Sequence, residues 1–239
     1  MRSVTILGVP IHAVTMAETL AWVAEAVATR VPRQICTPNP EFLMTARRDA
    51  DFRAVLQAAD LNIPDGIGLL WAARWLGDRL PERVAGSDLV GAIAAQAAQA
   101  GWRVFLLGAA PGVAERTAAL LQAAHPGLMI AGTESGSPRP EDVERLVALI
   151  TTARPDVLFV AYGAPAQDKW IAAQRARLGV PVSIGVGGSF DFIAGRSVRA
   201  PQWAQRLGLE WLYRLGREPW RARRIVTAVV EFPLAVMRR

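Results

Sequence analysis

Short apolar runs alternate with helical repeats along most of this chain. Helical spacing is clear in Leu20, Val23, Ala24 and Val27, which recur every three to four residues. The runs between helices are almost wholly apolar and are bounded by glycine or proline, which predicts strands buried on both faces. These predicted strands are SVTILGVPI, RQICT, LNI, WRVFLLG, LMIAGTE, PDVLFVAYG and PVSIGVGG. The predicted fold class is therefore α/β, a Rossmann-like and mostly parallel sheet flanked by helices.

Five polar or glycine-rich turns follow the carboxyl ends of predicted strands. They are Thr37–Asn39, Pro64–Gly66, Gly108–Gly112, Gly163–Gln167 and Gly187–Asp191. In open α/β sheets this edge is where ligands bind. Five such turns on one edge therefore predict a binding site, rather than five unrelated helix caps.

The stretch TPNPEFL, from Thr37 to Leu43, places polar residues around two prolines. Proline fixes its own φ and holds the preceding residue in extended geometry, so Thr37 and Asn39 are rigidly presented. Asn39 followed by Pro40 is also typical of a helix N-cap and first helical residue. Both interpretations stay open at this point: a capped helix start, and a rigid wall that faces a ligand.

Charged residues in the next turns carry candidate chemistry. Asp65 follows a buried strand in NIPDGIG and is either a helix N-cap or a general base that accepts a proton from a sugar hydroxyl. Arg83 precedes Asp88 in ERVAGSDLV, where Asp88 fits a helix N-terminus. Arg83 would either clamp a phosphate or sugar, or face solvent.

The glycine-rich turns offer backbone N–H groups to a ligand. Gly108 lies between a strand and a helix, where a phosphate can bind, although LLGAAPGVAE lacks the full GxGxxG spacing. In YGAPAQDKW, Tyr162 and Gln167 are candidate contacts, whereas Lys169 fits a solvated helix face. In GVGGSFDFIAG, Asp191 can accept hydrogen bonds from a nucleoside, the alternative being a tight packing turn.

Composition bounds the class of protein. Hydrophobic residues make up 52% of the 239 residues and charged residues 20%, which excludes a disordered chain. The single cysteine, Cys36, excludes a disulfide framework, and His12 and His125 are isolated, so no metal-ligand motif is visible. The start does not resemble a signal peptide, and no apolar run approaches the roughly 18 residues of a membrane span. We therefore expect a cytosolic protein.

Positive charge is concentrated at the carboxyl terminus. Residues 196–239 hold ten arginines and three glutamates, a net +7, although the whole chain carries +6. We therefore divide the chain into an α/β catalytic domain, residues 1–195, and a basic helical appendage, residues 196–239. A basic segment on a near-neutral body predicts an anionic partner, such as a phosphate, a nucleic acid or a membrane surface.

The appendage combines arginines with apolar residues. Its arginines at positions 214, 217, 221 and 224 would share one helical face if Pro219 does not interrupt the helix. The run from Ile225 to Met237 is too short to span a bilayer. Together with the tryptophans of the appendage, it suits an interfacial helix. The alternative is a helix docked on the core with a solvated arginine face.

Taken together, several segments resemble the WecG/TagA/CpsF family, glycosyltransferase family 26. They are TPNPEF, PDGIG, ERVAGSDL, GAPAQDKWI and GVGGSFDFIAGRSVRAPQWAQRLGLEWLYRLGREPWR. The resemblance covers nearly the whole chain, and the last segment is long enough to be highly specific. It implies an inverting, metal-independent transferase without a cofactor. Such an enzyme moves N-acetylmannosamine or a related sugar from a UDP donor to an undecaprenyl-diphosphate-linked acceptor sugar, in cell-surface polysaccharide or wall polymer synthesis such as that of teichoic acid.

The resemblance also implies roles for individual residues. Asp65 corresponds to the proposed base, and arginines of the appendage would close over the diphosphate because no DxD-like pair is present. Ala166 departs from the family pattern, where many members carry arginine. The predicted substrate-binding residues are Thr37, Asn39, Arg83, Gln167, Arg214, Arg221 and Arg224, and those expected nearer the nucleotide are Gly108, Tyr162, Gly187 and Asp191.

Three functional classes compete at this stage. A transferase of this family would work at the inner face of the cell membrane, as a peripheral protein, and a homo-oligomer stays open. A non-catalytic basic protein that binds membranes or nucleic acid would explain the charged appendage, but tryptophans beside apolar residues fit lipid better than a duplex. A nucleotide-dependent oxidoreductase is disfavoured by the incomplete glycine fingerprint. We expect no nucleic-acid partner.

Overall fold

A small antiparallel hairpin precedes the main sheet. The computed structural model describes residues 1–197, 213 and 222–238. The hairpin strands are β1 (Ser3–Ile6) and β2 (Val9–His12). The chain reverses at Leu7 and Gly8, which both have positive φ, +49° and +83°, as a two-residue hairpin turn requires. The prediction of one strand region over SVTILGVPI is therefore wrong in detail, because this turn splits it into a separate hairpin.

Six parallel strands form the main sheet, and the α/β prediction is confirmed. They are β3 (Arg33–Cys36), β4 (Leu61–Asn62), β5 (Arg103–Gly108), β6 (Met129–Glu134), β7 (Val157–Ala161) and β8 (Val182–Gly185). Their order across the sheet is β4-β3-β8-β7-β5-β6, and every neighbouring pair is parallel. All six carboxyl ends therefore meet at one edge.

Helices connect the strands, and most begin where the sequence indicates. The first nine are α1 (Met16–Thr29), α2 (Pro40–Ala46), α3 (Ala50–Ala58), α4 (Ile67–Trp75), α5 (Gly86–Ala100), α6 (Val113–Ala124), α7 (Pro140–Ala153), α8 (Ala166–Leu178) and α9 (Ser189–Ile193). The separate helix α3 was not predicted. Asp49 caps it by accepting a hydrogen bond from the Phe52 N–H at 3.0 Å.

Alternate residues of each strand pack into two different cores. On β5, Val104 and Leu106 join a cluster with α1, α5, α6 and α9, whereas Phe105 and Leu107 join a cluster with α7 and α8. Because both faces are covered by helices, the strands read as continuous apolar runs. The sheet therefore forms a rigid, closely packed base for the loops at its carboxyl edge.

The last described segment is one helical rod. It runs through α10 (Ala222–Val226), a π-helical turn (Thr227–Glu231) and α11 (Phe232–Met237). Proline at position 233 lacks an N–H and crowds the carbonyl four residues earlier, which accounts for the widened turn. Phe232 and Val236 are 1% and 4% exposed and share a core with α2, α3, α4 and the hairpin. We call Ala222–Met237 the terminal rod.

The structure agrees only in part with the prediction of an interfacial helix from Ile225 to Met237. One face of the terminal rod is docked on the core, as the alternative interpretation had it, while Val230, Leu234 and Met237 remain exposed. Within the described ranges, no helix combines the length and the hydropathy needed to cross a bilayer.

Candidate active site

A cavity of about 580 Å³ opens above the carboxyl ends of β3, β4, β7 and β8. Its walls come from the loops after these strands, from α2, from the segment before α5 and from the terminal rod. The lining includes Thr37, Asn39, Glu41, Thr45, Arg48, Asp65, Arg83, Ser87, Gly163, Gln167, Gly187, Ser189, Asp191, Arg223, Arg224 and Thr227. The predicted edge of the sheet therefore carries the cavity.

The TPNP segment begins a capped helix, as one interpretation had it, and it also forms one wall of the cavity. That this wall faces a ligand stays a prediction. Asn39 is the N-cap of α2, with its Oδ1 accepting a hydrogen bond from the Phe42 N–H at 3.0 Å, and Pro40 begins the helix. Thr37 is buried, and its hydroxyl donates to the Gly185 carbonyl oxygen at 3.1 Å, which ties this wall to β8. The cap leaves the Asn39 amide nitrogen available to a ligand.

Asp65 lies on the adjacent wall and does not cap α4. The N-cap of that helix is Gly66, whose φ of +133° favours glycine, and no side chain caps it. The Asp65 Oδ2 instead accepts a hydrogen bond from the Gly86 N–H at 3.2 Å, at the first residue of α5. The positive end of a helix dipole favours negative charge at such a position. This arrangement holds a carboxylate at the cavity wall.

Arg83 lies on the same wall because the backbone next to it is hydrogen-bonded to the PDG turn. The Val84 N–H donates to the Pro64 carbonyl oxygen at 2.9 Å, directly beside Asp65. Val84 and Ala85 are buried, so the backbone that carries Arg83 is fixed. Asp88 lies in the first turn of α5, as predicted. A guanidinium and a carboxylate thus line one cavity.

Gln167 joins two loops instead of projecting freely. It is fully buried, and its Oε1 accepts hydrogen bonds from the Gly163 N–H at 3.0 Å and the Gly187 N–H at 2.9 Å. These two glycines follow β7 and β8 respectively, so one amide oxygen aligns two cavity walls. The predicted substrate contact of Gln167 stays a prediction, and its oxygen already serves the protein.

Asp191 contributes a second carboxylate to the cavity. It lies on α9, and its backbone carbonyl accepts hydrogen bonds from the Arg196 and Ser197 N–H groups at 2.8 and 3.1 Å. Its carboxylate is 3.9 Å from the Arg196 guanidinium. This part of the chain therefore closes the cavity on the side of β8.

The terminal rod crosses the mouth of the cavity and is held there by two ion pairs. The Arg224 Nε lies 2.7 Å from a Glu41 carboxylate oxygen, and an Arg48 nitrogen lies 3.3 Å from Glu231. Glu41 and Arg48 were not singled out from the sequence, although Glu41 lies within the TPNPEF segment. Glu41 lies in the first turn of α2, and Arg48 lies in the turn that follows the helix. The signal that could have found them is their closeness in sequence to the polar wall.

Two predicted nucleotide contacts lie away from this cavity. Gly108 is not among its lining residues; a Cβ there would come within 2.8 Å of the Ala161 backbone, so close strand packing requires glycine. Tyr162 does not line it either. The Tyr162 ring packs edge-on against Trp170 at 6.1 Å, and burial raises the pKa of its hydroxyl. Their predicted ligand roles find no support in this cavity.

Four further positions singled out from the sequence are not among the residues that line the described cavity. Arg214 and Arg221 lie outside the described residues. Ala166, the departure from the family pattern, begins α8 and is not among the residues that line the cavity. Lys169, predicted to face solvent, donates to both carboxylate oxygens of Asp49 at 2.8 Å and so fastens α8 to α3.

No group of three or more His, Cys, Asp or Glu side chains within residues 1–197 and 222–238 is arranged to hold a metal ion. The cavity itself combines three carboxylates, those of Glu41, Asp65 and Asp191, with hydroxyl, amide and guanidinium groups. A carboxylate can accept a proton, hydroxyl and amide groups can bind sugar hydroxyls, and guanidinium groups can pair with phosphate.

A parallel sheet with this polar cavity over its carboxyl edge defines a ligand-binding α/β protein of Rossmann-like architecture. More narrowly, the chain belongs to the glycosyl transferase WecG/TagA/CpsF family, whose family model matches residues 4–239. The protein is accordingly a glycosyltransferase, and the predicted family is confirmed.

Two curated relatives carry the same description. The chain is 37% identical over 204 residues to the N-acetylglucosaminyldiphosphoundecaprenol N-acetyl-beta-D-mannosaminyltransferase of Bacillus subtilis (strain 168), covering 85% of this chain and 78% of the relative. The enzyme of the same description from Bacillus spizizenii is also 37% identical over 204 residues, with the same coverage.

Proposed function

We propose that this protein is an inverting, metal-independent glycosyltransferase. It transfers N-acetylmannosamine, or a related hexose or uronic acid, from a UDP donor to an undecaprenyl-diphosphate-linked acceptor sugar, in the synthesis of a cell-surface polysaccharide or wall polymer. The observation that carries this proposal is the cavity in which Asp65, Thr37, Asn39 and Arg83 converge. The names of the two Bacillus relatives support the choice of sugar and acceptor.

In the proposed mechanism Asp65 takes the proton of the acceptor hydroxyl while that oxygen attacks the anomeric carbon. Attack from the face opposite the diphosphate breaks the bond to the leaving group and inverts the configuration. Thr37 and Asn39 lie on a proline-braced wall, so their polar groups would orient the sugar with little loss of freedom on binding. The Gly86 hydrogen bond holds the Asp65 carboxylate in place.

The leaving UDP carries a diphosphate whose negative charge must be balanced. Arginine side chains supply planar, bidentate donors that suit phosphate. Arg83, Arg223 and Arg224 line the described cavity, and Arg214 and Arg221 are proposed to add further charge. Arg224 is paired with Glu41, so a diphosphate would compete with that carboxylate for the guanidinium.

We further propose that the enzyme works as a peripheral protein on the cytoplasmic face of the cell membrane. Gly68 of α4 packs beside Phe232 of the terminal rod, with a Cβ there 3.8 Å from its ring. Trp71 and Trp75 follow Gly68 by three and seven residues, so they lie on the side of α4 next to the rod. They are 68% and 67% exposed.

These tryptophans extend the exposed apolar residues of the terminal rod into one surface. We call it the apolar face, and it consists of Ile67, Trp71, Trp75, Val230, Leu234 and Met237. Exposed tryptophan beside apolar and arginine side chains suits a lipid interface. The net charge of +7 in residues 196–239 favours anionic lipid, at about 1 kcal/mol for each basic residue near the surface.

The apolar face by itself would also suit a non-catalytic basic protein that binds membrane surfaces, and family membership favours the transferase over that alternative. One experiment separates the two. The purified chain is incubated with a short-chain lipid-diphosphate N-acetylglucosamine acceptor and a panel of UDP-sugars, with and without a chelator, and products are identified by mass spectrometry. We expect transfer of one N-acetylhexosamine that survives chelation; the absence of any product from the whole panel would favour the non-catalytic function.

A further inference from the structure

Behind the cavity, α8 presses two consecutive polar side chains against the sheet. Gln167 and Asp168 are both fully buried. The Gln167 oxygen serves the two loop N–H groups of Gly163 and Gly187, so the amide nitrogen must turn the other way. If the amide were flipped, its NH₂ group would face the N–H groups of Gly163 and Gly187. None of these three donors would then have an acceptor. The orientation of this one amide therefore decides whether the two walls are joined.

The amide nitrogen and the neighbouring carboxyl group converge on Gly185. A Cβ at that glycine would lie 2.7 Å from Gln167 Nε2 and 2.7 Å from Asp168 Oδ1, so glycine is required to make room for both. Within the described residues, Gln167 Nε2 and both Asp168 carboxyl oxygens have no hydrogen-bond partner of ordinary geometry. Buried polar atoms left in this way are rare, and they acquire partners through small adjustments or a trapped water.

Neutral polar groups surround the carboxyl group on the sheet side. Gln34 on β3 donates to the Asp168 carbonyl oxygen at 2.9 Å and to the Cys36 sulfur at 3.5 Å. Ser183 on β8 pairs with Gln34 in the sheet, and its buried hydroxyl also lacks a partner among the described residues. Each group can donate to, or accept from, a neutral carboxylic acid.

The charged side chains nearest to this carboxyl group are paired with other partners. Burial raises the pKa of Asp168 to about 7, and burial also raises the pKa of the facing Cys36 thiol well above its usual value. Lys169 is turned to Asp49 instead. Beyond Cys36, Asp60 is 2.7 Å from the Arg175 guanidinium. Hydrogen bonds from Cys36 and Gln167 favour the charged form, but burial outweighs them, and no cationic side chain of this set is paired with the Asp168 carboxyl group.

We propose that Asp168 is a positioning residue that acts through Gln167. Its neutral carboxyl group offers an oxygen to the Gln167 amide nitrogen and thereby holds the orientation in which Oε1 bridges Gly163 and Gly187. Its O–H is donated to the Cys36 sulfur or the Ser183 hydroxyl. Ionisation removes that donor and places a charge without a cationic partner behind the cavity. The carboxylate still accepts from Gln167, but its burial is then unfavourable, so ionisation lowers the free energy needed to open this site and part the two loops.

The test compares Asp168→Leu, which removes the polar atoms, with Asp168→Asn, which imitates the neutral acid. Amide hydrogen exchange of Gly163 and Gly187 is measured by NMR in each chain, together with the melting temperature. We expect exchange at both glycines to accelerate on the order of tenfold in Asp168→Leu, as the loss of one hydrogen bond implies. Asp168→Asn should restore wild-type protection.

A kinetic readout rests on the proposed transferase activity. In wild type, kcat/KM for the donor should fall as pH rises through about 7, relative to Asp168→Asn, because only wild type ionises there. In a Gln167→Leu background, Asp168→Leu should have no additional effect on kcat/KM. A wild-type profile that stays parallel to that of Asp168→Asn, or additive effects in the double variant, would overturn the proposal.

The exchange measurement uses no substrate, so it remains decisive if transfer is never observed. Unchanged exchange at Gly163 and Gly187 in a folded Asp168→Leu chain would show that Asp168 does not act through Gln167. If Asp168→Leu does not fold, exchange in wild type across pH 6 to 8 replaces it. A fall in the protection factors of these two glycines above pH 7, after correction for the intrinsic pH dependence of exchange and absent in Asp168→Asn, would support the proposal, and protection factors that do not change with pH would reject it.

Discussion

At the scale of single residues, Asp65 carries the most specific chemical prediction. Asp65→Asn keeps an oxygen that can accept the Gly86 N–H but loses the ability to take a proton. Removal of a general base typically lowers the rate by about 10²- to 10⁴-fold. We therefore expect kcat to fall by that factor while donor affinity, measured by calorimetry, is retained. Asp51→Asn is the matched control, because that carboxylate is 92% exposed. Near-normal turnover of Asp65→Asn would reduce the role of Asp65 to fixing the α5 terminus.

Asp168 also predicts how stability depends on pH. Its pKa is raised in the folded state, so the folded chain binds the proton more tightly than the unfolded chain. The associated stability is complete below pH 4 and is lost as pH rises through about 7. At about 1.4 kcal/mol per unit, the free energy of unfolding of wild type should fall by on the order of 4 kcal/mol relative to Asp168→Asn. Urea denaturation at pH 5 and pH 8 should show about 3 kcal/mol of this fall, because the remainder is already lost between pH 4 and pH 5. Equal changes in the two chains would contradict the prediction.

The positions of the polar residues were predictable from the chain, whereas the ligands that they bind were not. Parallel strands align their carboxyl ends, which placed six of these residues at one edge, and all six line one cavity: Thr37, Asn39, Asp65, Gln167, Gly187 and Asp191. Arg83, whose site role was implied by the family resemblance, lines the same cavity. Gly108 was misleading, because a glycine needed for strand packing and a glycine needed for phosphate look alike in sequence. The Glu41–Arg224 ion pair joins residues 183 positions apart, and no local pattern encodes that distance.

At the scale of elements, the terminal rod depends on a single buried ring. Phe232 is 1% exposed in the core shared with α2 and α4, whereas Leu234 two residues later is 42% exposed. Phe232→Ala should lower the free energy of unfolding by about 3–5 kcal/mol or detach the rod locally. Leu234→Ala, on the same helix, should change it by less than about 1 kcal/mol. Denaturation and hydrogen exchange of the rod distinguish these outcomes, and equal effects of both variants would argue against docking through Phe232.

The periodic elements were predictable, and the irregular ones were not. Strands β5, β7 and β8 were found because burial on both faces makes them almost wholly apolar. The edge strand β6 is partly exposed and was found from its apolar run after Pro126 and Gly127. The hairpin at Leu7 was missed because leucine rarely adopts positive φ, so nothing local indicates a turn there. The docking of the terminal rod was left open, since an apolar helix face suits both a core and a membrane.

At the scale of the whole molecule, the apolar face predicts membrane association. Changing Trp71 and Trp75 together to alanine removes large exposed rings from α4 and leaves the cavity lining intact. Co-sedimentation with phosphatidylglycerol-containing liposomes should fall severalfold, while transfer to a soluble short-chain acceptor is maintained. The double change Leu120→Ala and Leu149→Ala, at two other exposed apolar positions, serves as the control. Unchanged sedimentation of the tryptophan variant would leave residues 196–221 as the lipid-binding segment.

Removal of the appendage tests the proposed division of the chain. We expect residues 1–195 to fold but to lose both transfer and liposome association, because Arg223, Arg224 and the rod part of the apolar face are deleted. Arg214→Ala and Arg221→Ala in the full chain should lower transfer and leave sedimentation nearly intact. If the truncated chain transferred sugar to a soluble acceptor at the full rate, these arginines would not serve the leaving group.

The terminal rod contributes to both the hydrophobic core and the cavity, because Phe232 packs in the core while Arg224 lines the cavity. A ligand that contacts Arg224 therefore binds more tightly when the rod is docked. By thermodynamic reciprocity, the same ligand must strengthen docking by an equal factor. Occupancy of the cavity would then be reported at the far carboxyl end of the chain, so a fluorophore near Met237 would serve as a sensor of donor binding without any change in the catalytic wall.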